Sequence, residues 1–415
     1  MGQLKVEKPI CLVSNEPLEV VLDLGKQPLG NGFMLEKSSP DQFYFQLTCG
    51  FSESSKLFQL IEQPSKNLMF HEFYAFETST SKSMIEHFKS TGIELKKRYQ
   101  INSSSDLVVE IGSNDGTFLE PFARSGQRHL GVEPAKGLAE IAQQKDIQVL
   151  NSFFDSKIAT EIKSEHGSAR LVFAANVMCH ISEIFDVFLG VKLMMSDDGI
   201  FVFEDPYLGD VISKNSYDQI YDEHVFLFSA MAIDYLASLV GMELIHCERI
   251  VTHGGSMRFH VANRNVYAKD RSVREIIEEE TRLGLDRVQT FLKFASSVAN
   301  SKKILKDELT RLAESGLVVN AYGATSKSTT IYNYVGIHEG LISQIYDNSP
   351  QKIGKFSPGA GIPIVDEKNF VSDKNDVIFL SAWNHSKEII GRNSWFQIQG
   401  GKWLTHVPKV GYVDV

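Results

Sequence analysis

Residues Leu107 to Leu119 read Leu-Val-Val-Glu-Ile-Gly-Ser-Asn-Asp-Gly-Thr-Phe-Leu, and no other run constrains the chain as tightly. A short apolar, β-branched strand (Leu107–Ile111) enters a turn of small residues, and a helical pattern follows. A strand–turn–helix of this kind exposes backbone N–H groups and lets the main chain approach a ligand closely. Glu110 stands near the end of the strand, where a buried carboxylate is costly unless it has a partner. A dinucleotide fingerprint needs G-x-G-x-x-G after the strand, with the second glycine clearing space for a pyrophosphate. Asn114 occupies that second glycine position.

The spacing Glu110, Gly112, Gly116 fits the first motif of methyltransferases that use S-adenosylmethionine (SAM), whose sulfonium and amine would give Glu110 its counter-charge. The motif places Ser113, Asn114, Asp115 and Gly116 at the cofactor turn. Roughly twenty residues on, Glu133 follows a second strand (Leu130–Glu133) with Pro134 after it, where an acid can hold ribose hydroxyls. SAM and NAD would both want that acid, so Asn114 is the residue that separates them. Asn176, at the end of the strand Leu171–Asn176, completes the cofactor set.

The chain has 415 residues, enough for two or three domains with a large buried core. Its net charge is −10 and it has no dense Lys/Arg run, so no electrostatic footprint for nucleic acid is present. No apolar stretch reaches the ~18 residues of a membrane span, and the polar start does not read as a signal peptide. Four cysteines (Cys11, Cys49, Cys179, Cys247) in a chain this long do not suggest a disulfide framework, and a reducing cytoplasm is the expected setting.

The α/β pattern divides into three segments. Residues 1–72 carry short strands (Leu18–Leu24, Phe43–Thr48) around a Gly/Pro stretch from Gly25 to Gly32 and read as a small β-rich domain. Residues 73–265 open with a polar helix (about Ser81–Tyr99). Strands and helices then alternate: Leu107–Ile111, Leu130–Glu133, Gln148–Leu150, Leu171–Asn176 and Ile200–Glu204, as in a doubly wound parallel sheet. The strand-like stretches Glu243–Ile250 and Ser256–Val261 suit an antiparallel hairpin closing that sheet. Residues 266–415 begin with a long helical stretch from about Ser272 to Ser315, whose residues Phe291, Phe294, Val298, Leu305, Leu309 and Leu312 form one apolar stripe. A second α/β unit follows: Leu317–Tyr322 enters Gly323-Ala-Thr-Ser-Lys327, Ile342–Tyr346 ends at Asp347, and Val377–Leu380 ends near Trp383-Asn384. Open sheets bind ligands at the carboxyl ends of their strands, so two such units suggest two ligands meeting at a cleft.

Six blocks taken together resemble one family, the SAM-dependent C-methyltransferases of nucleotide-linked deoxysugars. They are Glu110-Ile-Gly-Ser-Asn-Asp-Gly116, Asn176-Val-Met-Cys-His180, Tyr221-Asp-Glu-His224, Gly254-Gly-Ser-Met-Arg258, Tyr322-Gly-Ala-Thr-Ser-Lys327 and Asp347-Asn-Ser-Pro-Gln-Lys352. They cover most of the chain in the family's order. The resemblance implies a small zinc-binding-type domain, a class I SAM-binding domain and a C-terminal Rossmann-like domain. It also implies methylation beside the ketone of a keto sugar carried on a nucleoside diphosphate, commonly thymidine.

Carbon methylation needs a carbanion or enolate, and a ketone beside the reacting carbon lets one positioned base take the proton. Histidine suits that task because its ordinary pKa lies near neutrality. Tyr221-Asp222-Glu223-His224 offers a base, a carboxylate to orient it and a phenol for the enolate oxygen. By resemblance His224 is the base, supported by Tyr221, Glu223 and His180. Cys179 reads as packing. Lys327 opens the helix of the second α/β unit, where an ammonium and backbone N–H groups suit a diphosphate. Asp347 stands where a Rossmann acid would hold ribose, or simply begins a turn before Pro350.

The chain departs from the family in two places. The family's zinc-binding C-x-x-C pairs read Cys11-Leu-Val-Ser14 and Cys49-Gly-Phe-Ser52 here. Hydroxyls are poor zinc ligands, so no structural metal is expected unless a remote histidine such as His71 completes a site. The family's substrate-contacting Y-x-Y reads Tyr74-Ala-Phe76, without the second hydroxyl. Two other functions stay open on sequence grounds: methyl transfer to oxygen or nitrogen, since His224 could equally deprotonate a hydroxyl, and a non-catalytic nucleotide-binding scaffold. The sugar, its nucleoside, the stereochemistry of transfer and the choice between a monomer and a weak homo-oligomer are not written in the sequence.

Overall fold

The computed structural model describes residues 8–69, 77–102, 104–371 and 376–413. His71, Tyr74 and Phe76 lie outside the described residues.

Strands β1 (Glu19–Pro28), β2 (Tyr44–Phe51) and β3 (Phe58–Leu60) form an antiparallel sheet. The central sheet holds β4 (Leu107–Ile111), β5 (His129–Val132), β6 (Val149–Leu150), β7 (Ala169–Ala175) and β8 (Met195–Pro206). Next in the chain, β9 (Phe226–Leu227) leaves the central sheet and pairs with β3, giving the N-terminal sheet its fourth strand. The hairpin β10 (Met242–Ile250) and β11 (Ser256–Asn263) returns to the central sheet. A third sheet holds β12 (Val319–Tyr322), β13 (Ile345–Asp347), β14 (Ile364–Asp366), β15 (Val377–Leu380), β16 (Lys402–Thr405) and β17 (Gly411–Tyr412).

The central order is β10-β11-β8-β7-β4-β5-β6, with only β11 running against the others. This is the class I methyltransferase-type sheet expected, closed by the expected hairpin. All five residues of β4 are buried because helices cover both faces, so the strand reads as an apolar run broken only by Glu110. The chain winds one way from β4 to β6 and the other way from β7 to β8, so the switch point falls between β4 and β7. Ligands of open sheets bind at such a point, beyond the carboxyl ends. The third sheet, β14-β13-β12-β15-β16-β17, switches between β12 and β15 in the same manner.

The run from Ser272 to Ser315 is two helices rather than one, Arg271–Leu283 and Val288–Glu314. Gly284 adopts φ 71° and caps the first through its N–H to Glu280 and Thr281 carbonyls, a left-handed stop that glycine makes without a Cβ penalty. The stripe from Phe291 to Leu312 is buried as expected. It packs in one apolar cluster with Leu22, Phe45, Leu47, Cys49 and Phe51 of the N-terminal sheet. Among the described residues no helix is long and apolar enough to cross a membrane.

Candidate active site

The carboxyl ends of the two parallel sheets face one cavity of about 780 Å³, closed on a third side by residues of the N-terminal segment. Its walls include Glu110, Gly112, Ser113, Asn114, Glu133, Pro134 and Asn176 from the first sheet's side. Gly112 has φ 67°, and a Cβ there would lie 2.4 Å from Val177 Cγ2, so the turn is open only to glycine. Gly116 and Asp115 stand behind the cavity. A Cβ on Gly116 would lie 2.2 Å from Ile147 Cδ1, which makes that glycine a packing requirement. Asp115 accepts from Thr117 Oγ1 (2.6 Å) and from the Ser79 N–H (3.0 Å), tying the turn to the segment that precedes helix Lys82–Arg98.

Glu110 is the conspicuous group. It is 4% exposed, its Oε2 has no hydrogen-bond partner among the described residues, and it lines the cavity. Burial, then the charges of Asp115 and Glu133, hold its carboxyl well above the usual carboxylate range. A buried acid facing an open cavity is the receptor expected for a cation. Glu133 already binds main chain: Oε2 accepts from the Asn114 N–H and Oε1 from the Ala135 N–H, both at 2.8 Å. Each of these oxygens has a second lone pair for a ribose hydroxyl. Phe153 and Phe154, which the sequence did not single out, add an aromatic wall beside Pro134. These groups fit SAM: an acid for the cation, an acid for ribose and aromatic surface for a base.

His180, Tyr221, Glu223 and His224 line the same cavity. His180 closes a 3-10 turn, Met178–His180, just past β7. Its ring stacks on that of His224 at 5.3 Å between centroids, and the Tyr221 ring lies 4.2 Å from His224. His224 Nδ1 is 2.6 Å from the Gln219 carbonyl oxygen. A carbonyl can only accept, so Nδ1 carries the proton and Nε2 keeps its lone pair. The sequence suggested a carboxylate as the orienting group; a main-chain carbonyl fills that place. Asp222 instead accepts from the Gly30 N–H (2.9 Å), and Glu223 Oε1 from the Asn31 amide (2.7 Å). Burial, the neighbouring His180 and the Lys327 ammonium push His224 well below the ordinary histidine pKa, and burial takes His180 to about 4. Both imidazoles are therefore neutral at physiological pH.

The residues lining the cavity from the third sheet's side include two lysines. Lys327, in the first turn of helix Ser326–Val335, donates to the His253 carbonyl (3.1 Å), and burial lowers its pKa to about 8. Lys352 donates to the Ala324 carbonyl (2.7 Å) and is also lowered by burial. His253, Asn384 and His385 line the same region. None of Asn31, His253, Lys352, Asn384 and His385 was assigned from sequence. Asp347 is off the cavity wall: its carboxylate accepts from the Ala324 N–H (2.7 Å) and the Ser349 N–H (2.8 Å), so it fastens the turn after β12.

The described residues of the N-terminal segment do not by themselves fit a structural zinc. Cys11 Sγ lies 3.3 Å from Ser55 Oγ and is also hydrogen-bonded with Ser14, so the thiol is ringed by hydroxyls. Cys49 does not face it. Cys49 belongs to the cluster shared with the C-terminal helices, and Cys11 to another. The sequence pairing of Cys49 with Ser52 as a second ligand pair is thus corrected: Ser55 is the residue that meets Cys11. One thiol with hydroxyls lacks the Cys/His donor set of a structural zinc. Metal analysis of the purified protein should find no stoichiometric zinc; one tightly held equivalent would contradict this. Among the described residues two other groups bring three donor atoms within 4.8 Å, Cys179–His180–His224 and His246–Glu248–His260. In the first, burial and Asp205 raise the Cys179 thiol well above its usual range; in the second, Glu248 is bound by Arg258 (2.8 Å).

Comparison with known proteins identifies the family. Residues 84–247 match a methyltransferase domain and residues 251–408 the C-methyltransferase C-terminal domain. The C-methyltransferase NovU of Streptomyces niveus is 30% identical over 340 residues, which cover 81% of this chain and 80% of NovU. The chain belongs to the C-methyltransferase family. Solved structures resemble it more distantly. The SAM-bound magnesium protoporphyrin IX methyltransferase ChlM of Synechocystis PCC 6803 shares 12% identity at a TM-score of 0.33, over 43% of this chain and 79% of its own. A SAM-dependent methyltransferase of Thermotoga maritima shares 15% at 0.34, over 45% and 95%. This C-methyltransferase lines one cavity with both a buried acid and a neutral imidazole.

Proposed function

We propose that this C-methyltransferase uses SAM to methylate the carbon beside the ketone of a keto-deoxysugar carried on a nucleoside diphosphate, of the thymidine type. The observation that carries the reading is the one cavity lined together by Glu110, His224 with Tyr221, and Lys327 with Lys352. When bound, SAM supplies an electrophilic methyl group on a sulfonium. Glu110 would answer its positive charge, Glu133 its ribose hydroxyls, and the turn Gly112–Asn114 with Pro134 and Asn176 its remaining surface.

The chain's own residues then act as follows. His224 Nε2 accepts the proton from the carbon next to the ketone, and that bond's electron pair moves into the enolate, leaving charge on the ketone oxygen. The Tyr221 phenol is the donor for that oxygen. Lys327 and Lys352, costly to bury as cations, find their counter-charge in the diphosphate. Since Lys327 also helps to hold His224 below its ordinary pKa, an anion against Lys327 would make His224 a stronger base as substrate arrives.

Incubation with 13C-methyl SAM and a thymidine diphosphate-linked 4-keto-deoxysugar tests the reading: a new C–CH3 carbon signal is expected, and an O–CH3 or N–CH3 signal would overturn it. Lys327→Met should raise the KM for that substrate roughly 10- to 100-fold, the scale of a lost charge-assisted hydrogen bond. It should also move the acid limb of kcat/KM to higher pH, because removing the positive neighbour raises the pKa of His224. A limb that stays in place would separate Lys327 from the base.

A further inference from the structure

The N-terminal segment reaches the reaction side of the cavity through the loop after β1. There the Gly30 N–H donates to Asp222 Oδ1 (2.9 Å), and the Gly30 carbonyl accepts from Thr329 Oγ1 (2.9 Å). A Cβ on Gly30 would lie 2.9 Å from Asp222 Oδ1 and 3.0 Å from Ser326 Cβ, so the backbone is wedged between the Tyr221–His224 turn and helix Ser326–Val335. Asn31 bridges the same two elements with its side chain. Its Nδ2 donates to Glu223 Oε1 (2.7 Å), its Oδ1 accepts from Ser326 Oγ (2.9 Å), and it lines the cavity.

We propose that Asn31 is a positioning residue of the methyl-transfer reaction, clasping the Tyr221–His224 turn to the first turn of helix Ser326–Val335 so that the N-terminal segment completes the active site. The inference rests on the reading that this turn carries the base. A primary amide suits the task because one side must donate to a carboxylate and the other must accept from a hydroxyl. Aspartate would set a second carboxylate against Glu223, and an apolar side chain would leave both partners with a lost bond. The clasp also explains why Asp222 and Glu223 are bound from outside their own turn. Within the turn the His224 N–H donates to the Tyr221 carbonyl (3.0 Å) and its ring packs on that of Tyr221, while Nδ1 donates to the Gln219 carbonyl, so the aim of Nε2 follows how the turn as a whole is held.

The test uses full-length Asn31→Ala, Asn31→Asp and His224→Asn, assayed with SAM and a thymidine diphosphate-linked 4-keto-deoxysugar, with SAM affinity followed by calorimetry. Asn31→Ala should lower kcat roughly 10- to 100-fold, the scale of a misplaced catalytic group, with SAM affinity and substrate KM close to wild type. Asn31→Asp should be impaired at pH 8 and recover toward pH 6, because two carboxyls in contact share one proton and the protonated member restores a donor. Merely structural damage would not produce that pH-dependent recovery, so Asn31→Asp decides the matter if Asn31→Ala fails to fold. A wild-type kcat in Asn31→Ala, a change confined to KM, or an Asn31→Asp pH profile parallel to wild type would each overturn the clasp. A silent Asn31→Ala beside an inactive His224→Asn overturns the clasp alone; an active His224→Asn overturns the base, and the clasp's purpose with it.

Discussion

Replacing His224 with asparagine is expected to lower turnover by about two orders of magnitude or more while leaving SAM affinity near wild type, the scale of a lost general base. Asparagine is the informative replacement because its amide can keep the donor that Nδ1 presents to the Gln219 carbonyl. What it removes is the Nε2 lone pair. The pH dependence carries a second signature. Burial, His180 and Lys327 all depress His224, so the base is already unprotonated at pH 6.5. Activity is lost only when pH falls through the depressed value, so the acid limb of kcat/KM should lie below the ordinary histidine range. A limb near 6.5 that disappears in His224→Asn would contradict the burial argument, and unchanged turnover would remove His224 from the mechanism.

The parts of this arrangement that sequence disclosed are those in which neighbours in the chain do the work. Leu107–Ile111 has the same bounds in sequence and structure because four apolar residues, buried on both faces and interrupted only by Glu110, leave a compact signal. Gly112 and Gly116 were readable since turn geometry is local. The break at Gly284 was also present as a helix-stop glycine, but the stretch was read as one helix from about Ser272 on the strength of the apolar spacing beyond it. Cys49 shows a subtler failure. Phe45, Leu47, Cys49 and Phe51 alternate along β2 and share one buried cluster, which turns Cys49 away from Cys11. Period two, applied to that strand, would have exposed the false pairing. Asn31, His253, Lys352 and His385 could not be found locally, because each gains meaning only from a segment far along the chain. Asp347 was read either as a ribose acid or as the start of a turn; off the cavity wall, with its carboxylate holding the Ala324 and Ser349 N–H groups, it fits the second.

Glu110→Gln is expected to weaken SAM binding roughly 10- to 100-fold at pH 8, the loss of a charge-assisted contact, and to abolish the pH dependence of that binding. The wild-type carboxyl is raised well above the usual range by burial and by Asp115 and Glu133. In the empty protein it therefore holds its proton into a pH region where a free glutamate is ionised. A bound cation favours the ionised form, so binding releases a proton, and affinity should rise by up to about tenfold per pH unit until the raised pKa is passed. Calorimetry in two buffers of different ionisation enthalpy reads that proton directly. The stability linkage has the opposite sign. Between the ordinary glutamate pKa and the raised one the folded protein binds more protons than the unfolded chain, so folding stability falls as pH increases through that window. Glutamine removes this penalty, and the ligand-free variant should melt above wild type at pH 8. If both SAM and S-adenosylhomocysteine lose affinity equally, Glu110 answers the amine they share; a larger loss for SAM assigns it to the sulfonium. A wild-type affinity independent of pH, or a variant with a normal dissociation constant, would leave this buried acid without the cationic partner its position demands.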